Sequence, residues 1–414
     1  MGQQTSQASG IKEEYPVFQM QEFHLRNGLP NIFHKIEHQR QVRIGYIGGS
    51  ITAAENGWRA LTFHWFQLTF PHTAFYQVDA TVGGTGSGLG VFRMERDVLS
   101  QKPDLLFVEF AVNDASETRE SILRSMEGLI RKTRIALPHT DICLVYTTAT
   151  PFCEDLAKGK PHLASEAMEE LARHYGIPSI HMGMEIARLY AQGKLTLTAP
   201  AEENARTIVF TDDNYHPLTE SGHPLYASVV VKYLNEMRKD SRKKKYFLPS
   251  PYVKDHWQQA RMLEVSQTEL QGDWTSLSEE QDLNREFEAF VGGYPPLVYK
   301  GQPGAVMTFS FKGHILGFYD CVGPKTGLIE LSIDGEKQEI SRFDRWCKDF
   351  RKHNFFVKEL HEGVHKVEIK VLDKTIDKAA ELRKKGVKMQ NPEKFAETNW
   401  YPVSLLIVGK LLKQ

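Results

Sequence analysis

Four short segments of this chain carry residue types that could do chemistry together. The first is Val42-Arg43-Ile44-Gly45-Tyr46-Ile47-Gly48-Gly49-Ser50-Ile51-Thr52. It reads as a buried strand running through two glycines into a serine, with a helix to follow. A hydroxyl there lies outside the carboxyl end of a strand, where open α/β sheets bind ligands, and beside the free N–H groups of a helix start. A serine hydroxyl is a poor nucleophile at neutral pH and needs a base within hydrogen-bond reach. Thr211-Asp212-Asp213-Asn214-Tyr215-His216-Pro217 supplies one. His216 falls on a loop after the short apolar stretch 207–210, and Pro217 holds the turn. Asp213, three residues earlier, can fold back to fix the imidazole tautomer and stabilise the imidazolium. Asp212 is the alternative orienter. His223, on the helix beyond, reads as structural.

Two further segments offer groups for a developing negative charge. Asp79-Ala80-Thr81-Val82-Gly83-Gly84-Thr85-Gly86-Ser87-Gly88-Leu89-Gly90 is a glycine-rich loop between a strand and a helix. It fits neither the G-x-G-x-x-G fingerprint nor a P-loop. Glycines do let a backbone N–H approach a substrate closely, because they lack Cβ. In Val108-Glu109-Phe110-Ala111-Val112-Asn113-Asp114 an apolar strand ends in Asn-Asp, and an asparagine amide at that edge can face an oxyanion.

The elements that must position these groups alternate. Strands are expected at 42–47, 74–78, 104–110, 141–147 and 178–181. Helices are expected at 31–38, 58–70, 89–99, 117–135, 164–175 and 219–237. Such alternation implies a mostly parallel sheet covered on both faces. The texture changes at the basic run 238–245, read as a solvated helix end and linker rather than an anionic-surface contact. Beyond it come β patterns: 305–311, 315–319, 328–333 into the Asp334-Gly335 turn signal, the period-2 stretch 364–371, and 401–408. The charged stretch 373–394 reads as a helical excursion or loop. Many short strands suggest a β-sandwich. The expected domains are a lead-in (1–40), an α/β domain (41–240), a linker (241–254) and a β-sandwich (255–414).

Bulk composition narrows the partners. At 414 residues the chain is too long for one ordinary core. A net charge of −1 argues against a nucleic-acid partner. No apolar run is long enough for a membrane span, and residues 1–10 lack the apolar core of a secretory signal. Cys143, Cys153, Cys321 and Cys347 show no metal or redox spacing, so reduced thiols and a cytoplasmic location are expected. No cofactor or metal is called for, and a homo-oligomer stays open.

The order of the four segments resembles the SGNH hydrolase family, also called GDSL-like esterases, over roughly residues 42–238. The resemblance implies a flavodoxin-like three-layer sandwich (the SGNH hydrolase fold). It implies Ser50 as nucleophile, His216 as base and Asp213 as acid, with an oxyanion hole made by the Ser50 N–H, the Gly84 N–H and the Asn113 side chain. Three positions depart from the usual pattern: Gly49 replaces an aspartate, Ala111 a glycine, and Asp79 an asparagine. The C-terminal region loosely resembles the jelly-roll modules of carbohydrate-active esterases, with Trp346 and Tyr319 as sugar-stacking candidates and core packing as the alternative. The favoured reading is a serine esterase acting on O-acetyl groups of a carbohydrate. A lipase or thioesterase, a sugar O-acyltransferase and a non-catalytic carbohydrate-binding protein are the alternatives.

Overall fold

The computed structural model describes residues 20–199, 207–287 and 297–412. The first 19 residues of the expected lead-in lie outside them. Strand β1 (Phe23–His24) and helix α1 (Pro30–His38) precede the first long strand, β2 (Gln41–Gly48). A single-turn helix, α2 (Ser50–Ala53), follows at once. Then come α3 (Trp58–Thr69), β3 (Ala74–Thr81), α4 (Ser87–Asp97), β4 (Leu105–Glu109), α5 (Arg119–Ala136) and β5 (Asp141–Tyr146). The chain continues through α6 (Thr150–Ala157), α7 (Leu163–His174), β6 (Ser179–His181), α8 (Met182–Ala191), β7 (Leu195–Thr198), β8 (Ile208–Thr211) and α9 (Gly222–Met237).

Every residue of β4 and β5 is buried, as expected of parallel strands covered on both faces. The main sheet runs β1-β6-β5-β4-β2-β3, with β1 antiparallel at one edge and the rest parallel. Counting the parallel strands alone, this is the flavodoxin-like order. It puts the topological switch point between β2 and β4, where ligands bind in such sheets. Between β5 and α9, two helices and a small sheet were not anticipated. Helices α6 and α8 are short, although Pro151 near the start of α6 is a start signal. Strands β7 and β8 pair in parallel in a sheet of their own.

The C-terminal part is all-β apart from short helices. It comprises β9 (Ala260–Glu264), β10 (Glu269–Gln271), β11 (Trp274–Leu277), α10 (Glu280–Phe287), β12 (Val298–Gly301), β13 (Val306–Val322) and β14 (Leu328–Ile333). After these come β15 (Glu336–Ser341), β16 (Arg351–Val371), α11 (Lys378–Arg383) and β17 (Tyr401–Leu411). An antiparallel sheet runs β15-β14-β16-β13-β17-β9, with β10 also on β13, and β11 pairs with β12. Asp334 and Gly335, both at positive φ, turn the β14–β15 hairpin as their sequence signals. The sequence pattern breaks at Gly313-His314, but one strand passes through. A bulge absorbs the break, and a Cβ on Gly313 would lie 2.1 Å from the Val408 carbonyl oxygen.

The two parts share apolar packing. One cluster joins Leu89, Phe92, Met126 and Leu129 of the α/β part to Trp257, Ala260, Ile315, Tyr401, Leu406 and Val408. Strand β17 is buried on both faces, since Leu405 and Ile407 point into a separate cluster within the β part. The segment expected as a linker is packed too. Tyr246 donates to Asp141 (2.6 Å), and the buried Glu127 carboxylate accepts from the Tyr252 and Val253 N–H groups (2.5 and 2.7 Å). Among the described residues no helix is long and apolar enough to cross a membrane.

Candidate active site

Four loops converge at the carboxyl edge of the main sheet. Strand β2 ends in Gly48-Gly49 and delivers Ser50 as the first residue of α2, so the Ser50 N–H is one of the unpaired donors at a helix start. The buried side chain of Glu109, at the end of β4, holds α2 from below. It accepts from the Thr52 hydroxyl (2.8 Å) and, on its other oxygen, from the Thr147 hydroxyl at the end of β5 (2.6 Å). Burial pushes the Glu109 carboxyl above its ordinary range.

His216 Nε2 lies 2.8 Å from Ser50 Oγ, and His216 Nδ1 lies 2.5 Å from Asp213 Oδ2. The three-residue spacing works because the two carboxylate oxygens divide the labour. Asp213 Oδ1 accepts the N–H groups of Tyr215 (2.8 Å) and His216 (2.7 Å) and the Thr211 hydroxyl (3.0 Å), closing the turn. Oδ2 is left for the imidazole. Partial burial pushes the Asp213 carboxyl up, but the bonds from the His216 ring and the loop N–H groups outweigh it and hold the group well below the carboxylate range. An ionised Asp213 favours the tautomer that leaves Nε2 free to accept the serine proton. Both side chains are about half exposed, so water reaches the pair. Asp212 makes no such contribution: its neighbour Asp213 is the residue on the imidazole. His223 is structural as expected; it is buried and accepts the Trp58 N–H (3.2 Å).

The glycine loop lies beside the serine. A Cβ on Gly83 would fall 3.7 Å from Ser50 Cβ, and Gly84 has φ +70°, a conformation that disfavours other residues. Asn113 reaches the same place from β4 and lies across Gly49. A Cβ on Gly49 would fall 2.0 Å from Asn113 Oδ1 and 2.8 Å from its Nδ2. In this structure the asparagine side chain thus occupies the space that any side chain at Gly49 would need. Asp79 accounts for a second departure. It pairs with Arg59 Nη1 (2.9 Å), and Arg59 Nε donates to the Thr52 carbonyl (2.9 Å), linking that aspartate to α2 at one remove.

Sequence reasoning missed the contribution of the β part. A cleft of about 340 Å³ runs from Gly84 and Asn113 between the two parts. Its walls include Asp114, Glu117 and Ser121 on one side and Trp257, Phe355, Val357 and Glu359 on the other. Arg124 of α5 bridges to Glu359 (2.8 Å) and fastens that wall to the α/β part. Val357 and Glu359 lie in a long strand with nothing in its local pattern to mark a site. The sugar-stacking candidates named from sequence are elsewhere. Tyr319 is buried in the shared cluster, and Trp346, though exposed, lies outside this cleft with the Lys385 ammonium 3.8 Å from its ring. Among the described residues no group of three or more His, Cys, Asp or Glu side chains is placed to hold a metal ion.

Comparison with known proteins bears on the family and the fold. Residues 46–223 match the model of the GDSL-like lipase/acylhydrolase family. Two crystal structures of a two-domain esterase active on acetylated mannans, one of them co-crystallised with mannopentaose, superpose with TM-scores of 0.66 and 0.68. Each is 21% identical, and the match covers 95% of this chain and all of the other. At that identity the likeness establishes the two-domain fold. A search of curated proteins found no match. Residues 46–223, which carry Ser50, Gly84, Asn113, Asp213 and His216, belong to the GDSL-like lipase/acylhydrolase family, and the chain is a carboxylic ester hydrolase.

Proposed function

We propose that this chain is a serine esterase that removes O-acetyl groups from oligosaccharides through an acyl-enzyme. The observation that carries the mechanism is the unbroken hydrogen-bonded line from Ser50 Oγ through His216 to Asp213 at the sheet's switch point. Ser50 Oγ attacks the ester carbonyl carbon as its proton passes to His216 Nε2. The Ser50 and Gly84 N–H groups and the Asn113 amide hold the oxyanion, each donor worth on the order of 3 kcal/mol of barrier. The tetrahedral adduct collapses, His216 protonates the departing sugar oxygen, and acetyl stays on Ser50. Water, deprotonated by the same nitrogen, then attacks the acetyl-serine and releases acetate. Asp213 stays ionised throughout and balances the imidazolium.

The cleft supports a carbohydrate rather than a long acyl chain. It is small, about 340 Å³, and it mixes one exposed aromatic face, Phe355, with the carboxyls of Glu117 and Glu359 and the Ser121 hydroxyl, while the Asp114 carboxyl is buried beneath its wall. Aromatic faces with carboxylates suit sugar rings, whose hydroxyls donate and whose C–H faces stack. The esterase with the same two-domain fold is described as active on acetylated mannans. The test is acetate release from acetylated mannooligosaccharides, compared with p-nitrophenyl esters of increasing chain length. Wild type should release acetate from the saccharides, and Ser50→Ala should abolish it. Phe355→Ala should slow the saccharide reaction more than p-nitrophenyl acetate hydrolysis. More than a few per cent of activity in Ser50→Ala would overturn the mechanism, and preference for long-chain esters would overturn the substrate.

A further inference from the structure

We infer that Asp114 is a positioning residue that keeps the two loops bearing Gly84 and Asn113 in register with Ser50. The inference rests on the esterase reading above, in which those residues hold the oxyanion. Asp114 directly follows Asn113, is buried, and reaches the end of the glycine loop with its carboxyl. Its Oδ1 accepts the Ser87 N–H at 2.9 Å, the first N–H of α4. The fit is close: a Cβ on Gly86 would fall 2.0 Å from the same oxygen. The residue before α4, where a helix usually supplies its own capping side chain, is therefore a glycine, and the cap comes from the oxyanion loop instead.

The glycine loop is thereby pinned at both ends. At its start the Val82 N–H donates to the Gly48 carbonyl (3.0 Å), which ties it to the strand that delivers Ser50. At its end Ser87 is tied to Asp114. Gly84 lies between these anchors, at positive φ and with open space around it. Asn113 in turn is seated on Gly49. One dipeptide, Asn113-Asp114, thus reaches both other loops of the oxyanion site. Asp114 Oδ2 is buried and has no hydrogen-bond partner among the described residues, so Oδ1 carries the tie to the glycine loop. A cap serving α4 alone would need no carboxyl from another loop.

A displaced oxyanion donor weakens the transition state and leaves substrate binding nearly untouched. Asp114→Ala should therefore lower kcat about 10- to 100-fold with KM within about 2-fold. It should weaken inhibition by a boronic acid by a similar factor. In that adduct the Ser50 oxygen bonds to boron, the hydroxyl proton passes to His216, and the boronate oxygen takes the place of the oxyanion. Asp114→Asn, whose amide oxygen can still accept from Ser87, should recover most of kcat. Ser87→Pro deletes the donor instead, at a first helical position where proline is tolerated, and should reproduce Asp114→Ala if that variant fails to fold. Wild-type kcat and boronate affinity in Asp114→Ala or Ser87→Pro would overturn the inference, as would a loss confined to KM. An active wild type with an inactive Ser50→Ala upholds the esterase reading whichever way Asp114 behaves.

Discussion

Gly49→Ala adds a single methyl group to the nucleophile loop. Gly49 has φ −90°, which alanine adopts freely, so the backbone is not the obstacle. Space is. The new Cβ would stand 2.0 Å from Asn113 Oδ1, 2.6 Å from its Cγ and 2.8 Å from its Nδ2, whereas ordinary contact begins at 3.4 Å. The amide must retreat by about 1.4 Å, more than the proposed hydrogen bond to the oxyanion would tolerate. Losing that donor costs roughly 3 kcal/mol, or about 100-fold in kcat. The overpacking itself should cost only about 1–3 kcal/mol of stability. The assay is kcat and KM for p-nitrophenyl acetate with Gly49→Ala, Asn113→Ala and the double variant. Because the methyl acts by displacing Asn113, it should add little once that side chain is gone, so the two effects should be far from additive. A Gly49→Ala enzyme with near wild-type kcat would refute the argument. So would fully additive losses, which would mean that the methyl disturbs Ser50 independently.

Two further outcomes follow from the packing. A chain ending at Lys245 should lose cooperative folding, because it exposes the shared cluster and strips the buried Glu127 of the Tyr252 and Val253 N–H groups; a soluble fragment with the full-length melting temperature would contradict this. Burial, reinforced by Glu117 and Glu109 and only partly offset by the bond from Ser87, pushes the Asp114 carboxyl up to about 7 from 3.8. The folded chain then holds that proton more tightly than the unfolded chain, so Asp114's contribution to stability falls as pH rises from about 4 to about 7 and is level above. Asp114→Asn removes this slope, so its melting temperature relative to wild type should rise across that window; a flat difference would count against it.

The α/β part was legible because its signals are local. Buried parallel strands read as apolar runs; Ser50 and Asn113 follow such runs, and His216 follows the short apolar strand β8, buried only in its second half. The Asp213–His216 pair was legible for the same reason, since three residues of loop suffice to close the turn. The shared cluster was not. In β17 residues of both faces are apolar, and an apolar run does not say which neighbour covers each face. Tyr319 and Trp346 illustrate the limit, because an aromatic residue in a β pattern looks alike whether it meets a sugar, a core or a lysine.

Sequence by itself therefore picked out the candidate groups: a serine at a strand end, an Asp-x-x-His loop, a glycine loop and an asparagine, in an order that resembles the family's. Tertiary structure decided how they are held and what they face. Glu109 meets Thr52 and Thr147 across three elements, Asp114 meets Ser87 across two loops, and Phe355 and Glu359 wall the cleft from a strand more than 200 residues beyond Asn113. These are contacts between side chains distant in sequence, fixed only when the sheet order and the packing of the second part bring them together. Local propensity carries no record of such encounters, which is why the candidate groups around Ser50 could be named from sequence and the shape of the cleft beside them could not.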